Sequence, residues 1–152
     1  VNLQSDIAAI LLAVGCGAAV GLERELKRKP AGLRTNVLIC LGAAVFTIIS
    51  SKMAGDKDSI TRIAAQIVTG VGFLGAGAVI QDRGGIHGLT TAATIWIVAS
   101  IGMACGAKLY ELAIIATALA IVVLLGLAEV DKRIRPNRNN QKTETNHDAE
   151  PL

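Results

Sequence analysis

The chain has 152 residues, of which 52% are hydrophobic and only 18% charged, with a formal net charge of +3 and a mean hydropathy of +0.53. A soluble domain carries about a quarter charged residues, and one this small could not bury five long uncharged segments, whereas a bilayer can. A soluble globular domain is therefore excluded, and the modest positive charge, set between apolar runs, gives no argument for a nucleic-acid partner.

Residues 7–22 form the first apolar run, with Ala13, Gly17 and Gly21 at four-residue spacing. No basic cluster precedes it, so a cleavable signal peptide is not expected. Glu23, Arg24 and Glu25 close this helix, and Arg34, Thr35 and Asn36 open the second, over residues 37–51. The third run, 63–80, has Gln66 near its start and contains Gly70, Gly72, Gly75 and Gly77. The first three of these glycines spell G-x-G-x-x-G. A dinucleotide site would need a strand before that motif and an acid about twenty residues after it, yet no acid lies between Asp82 and Glu111. The glycines instead predict a transmembrane helix that neighbouring backbones can approach closely. Gln81, Asp82 and Arg83 are expected to end it.

The fourth run, 89–107, opens on Thr90 and Thr91, either of which suits an N-cap. Gly102 and Gly106 give it a second G-x-x-x-G, which predicts a tight helix contact, within this chain, with a second copy or with another membrane protein. Trp96 is read as a packing or lipid-facing residue and Tyr110 as an interfacial anchor. The fifth run covers 112–128. Residues 131–152 are polar, cannot bury a core, and are predicted to form a disordered cytoplasmic tail after a membrane domain of residues 1–130.

Orientation follows from the basic residues. With the N-terminus outside, eleven of the fifteen lysines and arginines fall on the cytoplasmic side. The expected fold class is thus all-α: an integral membrane bundle of five transmembrane helices, N-terminus outside and C-terminus cytoplasmic.

Polar residues concentrate at the predicted cytoplasmic helix ends. Glu23, Glu25 and Asp82 are the carboxylates available there to a hard cation such as Mg²⁺, which takes one or two carboxylates and keeps several waters. Glu23 and Glu25 lie about 200° apart around a helix, so one continuous helix cannot aim both at one ion. The competing reading pairs these acids with Arg24, Arg34 or Arg83. Unwound glycine-rich backbone could also supply carbonyl ligands. Cys16, Cys40 and Cys105 lie in separate apolar runs with no C-x-x-C, which predicts neither a structural disulfide nor a zinc site. No hydrolase, kinase or metalloenzyme constellation is present, and neither enzymatic activity nor a bound cofactor is expected, apart from Mg²⁺ as ligand or transported ion.

Several ordered motifs carry a family resemblance. They are Gly21-Leu-Glu-Arg-Glu25, Pro30-Ala-Gly-Leu-Arg-Thr35, Thr61-Arg-Ile-Ala-Ala-Gln66, Gly72-Phe-Leu-Gly-Ala-Gly77, and Gly88-Leu-Thr-Thr-Ala-Ala93 with Trp96. Together, over residues 7–127, the chain resembles the MgtC/SapB family of bacterial membrane proteins. The resemblance implies a five-helix domain of the bacterial inner membrane linked to magnesium homeostasis and, in pathogens, to survival inside host cells. It implies Mg²⁺ transport or a transport-associated role. The alternative it carries is a non-transporting regulator that binds membrane partners such as the ATP synthase. Cys105, in Ser100-Ile-Gly-Met-Ala-Cys-Gly106, falls where the best-known member has a functionally important cysteine. Longer members add a cytoplasmic ACT-like domain, where this sequence has the polar segment 131–152.

Overall fold

The computed structural model describes the backbone of residues 3–53, 57–82 and 85–134, and the side chains of 3–53, 64–79 and 86–127. In chain order the elements are α1 (Leu3–Leu26), α2 (Leu33–Met53), α3 (Lys57–Gly77), β1 (Ile80–Asp82), β2 (Gly85–His87), α4 (Leu89–Gly106) and α5 (Tyr110–Ile134). Among the described residues, α1, α2, α4 and the Tyr110–Leu127 part of α5 are long and apolar enough to cross a membrane. α3 adds a shorter apolar stretch, Ala64–Gly77. The protein is an all-α, multi-pass membrane bundle. Its helices outrun the apolar segments at several ends because polar flanking residues continue the helical turns.

The chain divides into two units, Val1–Ile121 and Val122–Leu152. In the first, α1, α2 and α4 make the closest packing, and α3 lies against α2 and α4. Small residues set the spacing. A Cβ at Gly17 would stand 2.8 Å from Cys40 Cβ, and one at Gly21 would stand 2.9 Å from Leu33 Cα. A Cβ at Gly102 would collide with the Cys40 carbonyl, and one at Gly106 would lie 2.5 Å from the Ala44 carbonyl oxygen. Both G-x-x-x-G stripes are therefore used within the chain, against α2. Of the two uses the sequence left open for Gly102 and Gly106, within one chain or between chains, the structure shows the contact within the chain. A second cluster joins α2, α3 and α4 through Ala43, Val71, Ile95 and Ala99. The second unit contains the C-terminal half of α5, where Val122, Val123, Leu125 and Leu127 are exposed, a surface suited to lipid. The predicted tail falls largely on residues 135–152, outside the described residues.

Two expectations are corrected between α3 and α4. The third helix ends at Gly77, and Ile80–Asp82 pairs antiparallel with Gly85–His87 instead of continuing it. Glycine is a poor helix former, and the helix closes in tight turns, with Ala78 N–H donating to Gly75 O at 3.1 Å and Val79 N–H to Ala76 O at 3.1 Å. Neither Thr90 nor Thr91 is the N-cap of α4. That position is Gly88, in the left-handed region at φ 89°, where an added Cβ would also strike the Ala78 carbonyl.

The antiparallel run of helices gathers opposite termini. One end of the bundle brings together the start of α1, the end of α2 and the α4–α5 turn. There Asp6, almost buried, pairs with Lys52 and, at 3.4 Å, with Lys108. Lys108 Nζ also donates to Ser5 Oγ at 2.7 Å, and Tyr110 O–H donates to the Ser5 carbonyl at 3.1 Å. The other end brings together the close of α1 and the starts of α2 and α4.

Candidate functional site: a buried polar cluster at one end of the bundle

At this second end the last turns of α1 place successive residues differently. Glu23 and Arg24 are 7% and 2% exposed, while Glu25 and Leu26 face outward. The Arg24 guanidinium crosses to α4, where Nη2 donates to Thr91 Oγ1 at 3.3 Å. Its Nη1 stands 3.7 Å from Glu23 Oε2. Lys27, one turn on and half-exposed, reaches Glu23 Oε1 at 2.8 Å. A buried carboxylate is costly unless paired, and here two cations share it.

The α1–α2 turn is tied down by side chains on both flanks. Asn36, with no exposed surface, donates through Nδ2 to the carbonyls of Ala31 and Gly32, both at 2.8 Å. The bare backbone of Gly21 lets Asn36 sit this close, since a Cβ there would be 3.1 Å from Asn36 Cβ. Glu25 turns away and accepts the Leu33 N–H at 2.9 Å, capping the start of α2. Among the described residues at this end, Arg24 Nε and Asn36 Oδ1 are buried without a hydrogen-bond partner, and the two Glu23 oxygens are met by ion pairs alone. Asn36→Ala is expected to cost about 2 kcal/mol, because the Ala31 carbonyl loses its side-chain donor in a buried site while the Gly32 carbonyl keeps only the Asn36 backbone N–H. Unfolding in mixed micelles reads this, and an unchanged midpoint would show that the turn does not depend on Asn36.

Of the residues singled out from sequence, Glu23, Arg24 and Thr91 come together. Glu25 does not join them, as the helical angle required. Arg34, Thr35 and Thr90 are exposed, with the Thr90 carbonyl accepting Thr94 O–H at 2.7 Å. The Asp82 side chain lies outside the described residues. Gln66 lines a groove between α2 and α3. Gly72 and Gly77 meet open space, whereas Gly75 packs near Ala92 at 3.7 Å. Cys105 is buried, as are Cys16 and Cys40, and all three are free thiols. Among the described residues, no group of three His, Cys, Asp or Glu side chains is placed to hold a metal ion. Sequence reasoning missed Asp6 and the depth of Asn36. The available signals were a lone carboxylate just ahead of the first apolar run and an amide just ahead of the second.

The MgtC family matches this chain over residues 10–133. The chain is 48% identical over 125 residues to "Putative magnesium transporter YhiD" of Escherichia coli K12, covering 78% of this chain and 58% of that protein. It is 49% identical over 107 residues to "Protein MgtC" of Brucella abortus, covering 70% and 44%. It is 46% identical over 125 residues to "Protein MgtC" of Salmonella typhimurium LT2, covering 82% and 53%. No solved structure matches. The chain spans about half the length of the curated relatives it matches. Matched by the family model over most of its length and 46–49% identical to these relatives, the chain belongs to the MgtC family.

Proposed function

We propose that this protein serves magnesium homeostasis in the bacterial inner membrane as a transport-associated regulator, acting through contacts with other membrane components instead of conducting the ion itself. The observation that carries this reading is the state of the two described carboxylates at the polar end. Glu23 is neutralised by Arg24 and Lys27, and Glu25 is committed to the Leu33 amide. Mg²⁺ as a substrate demands near-octahedral oxygen ligation and gives up water reluctantly. Cations already hold Glu23, the more buried of these two acids. The packing supports the same reading, because α1, α2 and α4 meet at backbone distance around Cys40 and Ala44, leaving no room between them for a partly hydrated ion. We place the polar end on the cytoplasmic side, following the distribution of lysine and arginine.

Direct transport is the second reading. It is favoured by the name of the Escherichia coli relative and by the groove beside Gln66. Liposomes holding an entrapped Mg²⁺ indicator separate the two. With the helical protein inserted, Mg²⁺ entry is expected to match that of protein-free vesicles. Saturable, protein-dependent entry that Glu23→Gln reduces would overturn the regulator reading.

A further inference from the structure

The groove between α2 and α3 takes no part in the polar cluster. Its volume is about 560 Å³. Leu38, Gly42 and Phe46 line it from α2 at four-residue intervals, and Gly70 and Leu74 face them from α3. Gln66 is the one polar side chain on the described lining. Two glycines keep the slot open, since a Cβ at Gly42 or Gly70 would meet nothing within 4 Å. They differ in kind from Gly17, Gly21, Gly102 and Gly106, where an added Cβ meets backbone of the neighbouring helix.

Arg34 continues the same stripe. It lies four residues before Leu38 on α2, hence on the same face and about 6 Å further along the axis. Arg34 is exposed, as are Arg28 and Lys29 in the adjoining turn. The slot is hydrocarbon-lined along the spans, and the helical spacing sets the exposed Arg34 charge about one turn beyond Leu38, past the described lining. That pairing complements a molecule with an apolar chain and an anionic head.

We propose that this groove binds one anionic phospholipid, its acyl chain along Leu38, Gly42 and Phe46 and its phosphate on the Arg34 guanidinium. The slot supplies shape and apolar contact, which any lipid with the same chains would satisfy. The Arg34 charge supplies the choice of headgroup, because a zwitterionic lipid offers a phosphate already balanced by its own cation. Filling the slot should therefore remove binding of both lipid classes, while removing the charge should remove only the preference.

Native mass spectrometry of the detergent-purified full chain, titrated with phosphatidylglycerol or phosphatidylcholine of identical chains, tests this. The wild type is expected to prefer phosphatidylglycerol by about fivefold, the effect of one surface cation. Arg34→Ala should abolish that preference and leave phosphatidylcholine binding unchanged. Gly42→Leu and Gly70→Leu should each weaken both lipids while helix content and melting stay at wild-type values. The two leucines enter from different helices, so a folding defect in one leaves the other to decide. Equal binding of both lipids by the wild type would overturn the proposal, as would undiminished binding in the folded leucine variants. Loss of preference in Arg28→Ala/Lys29→Ala equal to that in Arg34→Ala would reduce the effect to general surface charge and overturn the Arg34 site. Displacement of the lipid by inorganic phosphate alone would likewise exclude the groove.

Discussion

Gly102→Leu is expected to leave little folded protein, with a stability loss beyond the ~3 kcal/mol upper end of ordinary overpacking. The reason is the identity of the obstructing atoms. A Cβ at residue 102 collides with the backbone carbonyl of Cys40 and would lie 3.0 Å from Ala43 Cβ. No rotamer change moves a carbonyl that is part of α2, so the two helices must separate. In a membrane, helices associate mainly through close packing, because lipid tails are as apolar as the helix surfaces. Separation therefore removes the interaction that holds the bundle. Gly72→Leu is the control, since nothing lies within 4 Å of its Cβ position, and it should change stability by no more than about 0.5 kcal/mol. Reversible unfolding in mixed micelles, with membrane yield measured alongside, compares the two. Equal midpoints for the Gly102 and Gly72 variants would contradict the packing of α4 on α2.

Arg24→Ala is expected to cost about 3 kcal/mol. The arginine is 2% exposed and Glu23 is 7% exposed, so its removal leaves a buried carboxylate with Lys27 as its remaining described cation. The contact to Thr91 goes as well, and with it the polar link between α1 and α4 across 67 residues of sequence. Removing both charges should hurt less than the separate losses suggest. Glu23→Gln/Arg24→Ala is expected to be more stable than the sum of the single effects by about 1 kcal/mol or more. A double-mutant cycle in the same micelle assay measures this. Additive losses would mean that the 3.7 Å approach of Glu23 and Arg24 contributes no coupling.

Much of the helical frame was legible because a bilayer imposes a one-dimensional rule. Backbone groups must be satisfied within the segment, and the side chains must be apolar for about twenty residues. Residues 89–107 and α4, Leu89–Gly106, agree almost to the residue. The region after Gly77 was not legible in this way. Ala78, Val79 and Ile80 carry the apolar run past the end of the helix, and β-branched side chains such as the last two suit a strand at least as well. Apolar character alone does not separate the two over so short a stretch. The site was half legible. Glu23, Arg24 and Thr91 stood out as polar residues at helix ends, but their grouping did not, and Glu25 showed its role only once the α1–α2 turn was in place.

By itself the sequence determined that this protein lies in a membrane, how many helices it forms, roughly where each begins, and to which family its motifs belong. Those properties follow from composition and local order along the chain. The tertiary structure alone decided that Gly17, Gly21, Gly102 and Gly106 serve packing on α2 while Gly42 and Gly70 leave a groove open. It also decided that Arg24 meets Thr91. A small residue permits close approach without naming what approaches, and a buried charge selects its partner only when the helices around it have already packed.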